Sequence, residues 1–238
     1  MRRDWATRLL QHPRRVDKEL AAVILRPLIP TEQSALEHAI HRLARDEDWE
    51  VRESAASLLG DALERSFEAY LQPAQAWMAR GEPRLRRAVV VGAKYAARSR
   101  HPERAEPILD LIEPALTEHD EYVRRNLGPF AIGDGLVRSY PDVTFARLER
   151  WAREPDENVR WNVASVFTSA SGAKVAERAF GILAFLSTDA RPFVQRAVQA
   201  AVRNILKRRP ELREPIAEWS GGHRPPIEEA LEASEART

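Results

Sequence analysis

The chain of 238 residues has no cysteine, which excludes disulfide frameworks, thiolate nucleophiles and cysteine-based zinc sites. Glycine is scarce, at 10 residues, and no Walker loop, dinucleotide fingerprint or nucleophile elbow occurs. No apolar run approaches the ~20 residues of a membrane span. The opening Met1-Arg2-Arg3-Asp4-Trp5 lacks the apolar stretch of a signal peptide. The expectation is a soluble, cytoplasmic monomer that needs no cofactor and holds no metal. His38 and His41 sit three apart beside Glu37, but without a third ligand they read as a surface pair. Charge of one sign is also lacking: 37 basic residues face 36 acidic ones. Only their sorting onto separate faces would make an anion-binding surface.

What is present is repetition. The phrase Asp48-Trp49-Glu50-Val51-Arg52-Glu53 returns as Glu82-Pro83-Arg84-Leu85-Arg86-Arg87, Asp120-Glu121-Tyr122-Val123-Arg124-Arg125, Asp156-Glu157-Asn158-Val159-Arg160-Trp161 and Arg191-Pro192-Phe193-Val194-Gln195-Arg196. The anchors Val51, Leu85, Val123, Val159 and Val194 lie 34, 38, 36 and 35 residues apart. That period belongs to two-helix units that stack into an α-solenoid, each burying a face its neighbour supplies. In four of the five copies an acid stands three residues before the anchor, where it suits a helix N-cap. The fold expected is therefore all-α, a solenoid of HEAT-like two-helix repeats.

In order, capping helices should occupy residues 1–30, five repeats about 31–209, and a terminal helix the stretch to 219. Together, 1–219 form one solenoid. Residues 220–238, opening on Ser220-Gly221-Gly222-His223-Arg224-Pro225-Pro226 and acidic at the end, read as a flexible or loosely helical tail. Pro129 with Gly133-Asp134-Gly135 predicts a broken or kinked helix in the third repeat. Eight residues before each anchor stand Leu43, Trp77, Ala115, Trp151 and Leu186, an apolar column that fits the seam between units.

Within the second helices, Ala55, Val89, Leu127, Val163 and Val198, then Leu59, Ala93, Ala131, Phe167 and Val202, form the buried stripe. Two residues past each anchor comes a different column: Glu53, Arg87, Arg125, Trp161 and Arg196. Small residues follow four positions on, and Lys94 and Arg203 lie seven beyond Arg87 and Arg196. Such a face could hold an anionic backbone, since Arg grips phosphate bidentately. It could equally be a solvated face. Arg52, Arg86, Arg124 and Arg160 read as a structural ladder pairing with acids of neighbouring turns.

The spacing and the Asp-x-x-Val-Arg phrase resemble HEAT repeats. More narrowly, Trp49-Glu50-Val51-Arg52-Glu53 followed by Leu85-Arg86-Arg87-Ala88-Val89 resembles the DNA alkylation repair family of HEAT-like glycosylases, the AlkD type, across roughly residues 4–219. The resemblance implies duplex DNA on a concave basic face. It makes Glu53 the catalytic carboxylate with Trp49 its aromatic neighbour, and Arg87 a DNA-contacting arginine; the column itself adds Arg125, Arg196, Lys94, Arg203 and Trp161 as candidates for the same DNA-binding surface. Two departures stand: the family has Asp where Glu53 is, and its second Trp falls near Pro129, with Phe130 or Trp161 as substitutes. The bland alternatives remain open. Glu53 could merely neutralise Arg87 or Arg52, Trp49 could staple its helix, and the chain could be a non-catalytic scaffold for a protein partner.

Overall fold

The computed structural model describes residues 1–220 and 224–235. The fold is all-α, built of stacked helical pairs, with no strand among the described residues. The chain divides into two compact units, Met1–Ala115 with Asp120–Asn126, and Leu116–His119 with Leu127–Thr238. No helix among the described residues is long and apolar enough to cross a membrane.

The first unit holds α1 (Arg2–Leu10), α2 (Arg15–Leu25), α3 (Gln33–Ala44), α4 (Trp49–Arg65), α5 (Phe67–Arg80), α6 (Pro83–Ala96), α7 (Ala105–Ile112) and α8 (Glu121–Asn126). Its centre is α4, packed on α2, α3, α5 and α6, with α6 carrying the stack on to α8. The second unit holds a π-helical stretch, Leu127–Val137. It continues through α9 (Pro141–Ala152), α10 (Glu157–Val166), α11 (Ala170–Lys174), α12 (Ala176–Ser187), α13 (Pro192–Arg208), α14 (Arg213–Ser220) and α15 (Pro225–Glu235). Here α10 lies between the π-helical stretch and α13.

Each second helix starts where the sequence places its signals. Asp48 accepts from the Glu50 amide at 2.9 Å, and Asp156 from those of Asn158 and Val159 at 2.7 and 3.1 Å, satisfying donors that have no partner within the helix. Pro83 and Pro192 sit at the first helical position, where a missing N–H costs nothing. All five anchors and the whole seam column, Trp77 and Trp151 included, are buried. The buried stripe of the second helices is buried at every position named above.

The signature arginines do form a ladder, but its acceptors are mostly carbonyls. Arg52 donates to Asp46 O and Glu47 O at 2.8 and 2.7 Å, Arg86 to Gly81 O at 2.8 Å, and Arg160 to Glu154 O at 2.6 Å. Gln195 does the same to Asp189 O at 2.9 Å. Each side chain folds back five or six residues and ties down the loop ahead of its own helix. An acidic partner of the expected kind is found for Arg160, on Asp189 at 2.7 Å.

Two expectations need adjustment. The α-helical ladder does break ahead of Pro129, ending at Asn126, but no loop follows it. It widens to π geometry, which takes a ring with no N–H that an α ladder would reject. A Cβ on Gly133 would overlap Ser169 Oγ and come within 2.9 Å of Val166 O, so glycine there permits close approach to the segment after α10. Residues 225–235, read as part of a loose tail, form α15 against α13 with Ile227 and Ala230 buried. Their apolar positions were hidden among acids. The remainder of that tail, 221–223 and 236–238, lies outside the described residues.

Candidate functional site

Glu53 lies one turn into α4, after the Asp48 cap and on the same face as Trp49. Trp49 is 64% exposed, more open than a core tryptophan and unlike Trp77 and Trp151. Next to α4 runs α6, and the two helices nearly touch: a Cβ on Gly60 would stand 2.5 Å from Tyr95 Cβ. This closeness lets a side chain from the end of α6 reach back to the start of α4.

The result is a carboxylate held at both ends. Arg87 Nη2 donates to Glu53 Oε2 at 2.7 Å, and Tyr95 OH donates to Glu53 Oε1 at 2.5 Å. Burial first, and then the Glu53 carboxylate beside it, push the Tyr95 phenol up to about 12, so in neutral water it remains a donor. Behind Arg87 lies Tyr122 from α8. The guanidinium carbon of Arg87 is 5.5 Å from that ring's centre and that of Arg52 is 5.1 Å from it, both within cation–π range. Arg52 Nε also donates to Tyr122 OH at 2.8 Å. Asn126 Oδ1 lies 3.4 Å from Arg87 Nη2, and its amide is fixed by a bond to Tyr122 O at 2.8 Å. Two guanidinium groups and one carboxylate leave the cluster with one net positive charge.

Arg87 thus differs from the solvent-facing cation expected in its column. It is only 9% exposed, covered by Tyr122 and neutralised by Glu53. Its Nε and Nη1 are buried without a hydrogen-bond partner, which leaves the Tyr122 ring as a compensating contact. Lys94, beside Tyr95, is half-buried with Nζ 5.1 Å from the Tyr95 ring centre. Arg125 is exposed and bound to Glu121 one turn back, at 2.5 Å. In the second unit, Trp161 stacks on Phe193 with centroids 5.6 Å apart and planes at 10°, and Arg196 and Arg203 are exposed on α13. The structure therefore brings Glu53 and Arg87 into one cluster on α4 and α6, with Trp49 exposed one turn before Glu53 on α4. Tyr95, Tyr122 and Asn126 belong to the cluster as well, and no repeat column pointed to them.

A model of the family described as DNA alkylation repair enzyme matches residues 1–130. The chain belongs to that family. The matched stretch contains every member of the Glu53 cluster. No curated protein matches the sequence. Solved structures similar to it include an engineered protein, 20% identical over 87% of this chain and 98% of that one with a TM-score of 0.37. A designed armadillo repeat protein is 15% identical over 84% and 98%, TM-score 0.34. A further structure, described as computationally designed armadillo repeat proteins for modular peptide recognition, is 17% identical over 96% and 98%, TM-score 0.35.

Pro129, near which the resemblance puts the family's second tryptophan, lies inside the π-helical stretch. Of the His38 and His41 pair, His38 is exposed, whereas His41 packs edge-on against Trp77 at 4.9 Å and burial lowers its affinity for a proton. Among the described residues no group of three or more His, Asp or Glu is arranged to hold a metal ion.

Proposed function

We propose that the protein is a DNA N-glycosylase that removes N-alkylated, cationic purines from duplex DNA, with Glu53 as the reacting carboxylate. The observation that carries this reading is the pinned, partly open carboxylate of Glu53 one helical turn from an exposed tryptophan, within a chain of a DNA repair enzyme family.

Alkylation at a ring nitrogen gives the purine a positive charge, so it departs as a neutral base taking the electron pair of the glycosidic bond. The sugar is left with oxocarbenium character at C1′. A carboxylate is what that charge requires. One pair of unit charges at ~4 Å in an effective dielectric near ~20 interacts by roughly 4 kcal/mol, or about a thousandfold in rate. Water then adds to C1′ and its proton passes to Glu53 or to solvent. Trp49 can lay its ring on the cationic base, a contact of about 0.5–2 kcal/mol. A water molecule is the only co-reactant, and no cofactor enters. Arg196, Arg203, Lys94 and Arg125 would meet phosphates of the duplex, and Trp161 would offer it an aromatic face.

A second reading has its own observation. Trp5, Val16, Leu20 and Val23 on α1 and α2 are exposed, which suits a protein partner better than a duplex.

The test is release of free base from a methylated duplex by wild type and by Glu53→Gln. Wild type should release base, and the variant should bind the duplex equally while releasing none, because the amide keeps the shape and removes the charge. Equal release by both would remove Glu53 from the chemistry, and release by neither would favour the scaffold.

A further inference from the structure

We propose that Tyr95 is a positioning residue for Glu53, its phenol fixing one carboxylate oxygen while Arg87 fixes the other, so that the longer acid of this chain is held in one orientation. The proposal rests on the reading of Glu53 as the reacting carboxylate. A glutamate has one more rotatable bond than the aspartate usual in the family, and each such bond offers three staggered wells. A single donor would restrain one oxygen and leave the group free to turn about that contact. Two donors on opposite oxygens, at 2.5 and 2.7 Å, remove that freedom.

The placement of Tyr95 is specific. It depends on the approach of α4 and α6 at Gly60, where Tyr95 Cβ stands against the glycine backbone. The phenol reaches 42 residues back along the chain to Oε1 of Glu53, whereas Arg87 bonds Oε2. Each carboxylate oxygen keeps a second acceptor site after these bonds, open to the sugar or to water. The phenol gives up no proton in the process. Its part is geometry.

The experiment compares wild type, Tyr95→Phe, Glu53→Asp and the double variant on a methylated duplex, with kcat and KM separated. Tyr95→Phe should lower kcat about tenfold, less than the hundredfold that ~1 Å of misplacement can cost, with KM little changed. Glu53→Asp should also lower kcat, and adding Tyr95→Phe to it should cost nothing further, because the shorter acid no longer reaches the phenol. Unchanged kcat in Tyr95→Phe, or losses that multiply in the double variant, would overturn the proposal. A second readout does not depend on catalysis. A phenol bonded to a carboxylate protects its hydroxyl proton from exchange, so wild type should show a downfield tyrosine hydroxyl signal by NMR that is lost in both Tyr95→Phe and Glu53→Ala. If no protein releases base, the glycosylase reading has failed and this signal alone decides: its loss in both variants upholds the contact, and its absence from wild type overturns it.

Discussion

At Asp189 a buried carboxylate serves two arginines, Arg191 at 2.5 Å and Arg160 at 2.7 Å, and accepts from the Arg191 amide at 2.9 Å. These donors, Arg191 foremost, hold its carboxyl well below the usual aspartate range despite the burial that opposes them. Because the folded value lies below the unfolded one, the stability it lends is complete above about pH 4 and drains away as pH falls toward the folded value. Asp189→Asn should therefore lower the urea midpoint at pH 7 by the equivalent of about 2 kcal/mol. The loss between pH 7 and pH 3 should be smaller in the variant than in wild type. Equal losses would show that the carboxylate is not coupled to folding. Individual residues were legible in the sequence to the extent that the repeat marked them. Glu53 and Arg87 occupy equivalent positions in successive units, which is why their meeting could be anticipated. Tyr95 and Tyr122 could not be found that way, since the first depends on helix separation at Gly60 and the second acts through its ring on arginines of earlier units.

Helices were easier to read than side chains. Asp caps, first-turn prolines and a steady period located the second helices within a few residues, because each signal acts on its own local backbone. The π-helical stretch was not legible, since Pro129 and Gly133 carry the marks of a break and only packing shows what replaces it. Gly133→Ala tests that account. The added methyl would press on Ser169 and the Val166 carbonyl, and as backbone cannot swing aside the variant should lose about 1–3 kcal/mol, the usual cost of overpacking. Thermal or urea unfolding of Gly133→Ala would measure it. A variant as stable as wild type would mean that the helix can shift to admit the methyl.

For the whole molecule, the sequence could bound charge but not its arrangement. Net charge is +1, yet the individual cations differ greatly in how free they are to meet a phosphate. Arg87 is spent on Glu53, whereas Arg125, beside Glu121 on the surface, and Arg196 and Arg203 are exposed. Duplex affinity measured against salt should separate these cases. Arg196→Ala and Arg203→Ala should each weaken binding regardless of sequence and reduce the slope of log affinity on log salt by about one unit. Slopes equal to wild type in both variants would remove α13 from the duplex surface.

The ladder of Arg52, Arg86, Arg160 and Gln195 has an outcome for how such a chain can vary over time. In the loop ahead of each helix their acceptors are main-chain oxygens, and a main-chain oxygen is the one acceptor that every amino acid supplies. Apart from the capping Asp48 and Asp156 and the paired Asp189, the loops they fasten can thus exchange residues without losing the fastening. Substitutions can accumulate in the connections while the helices they lead into stay in register.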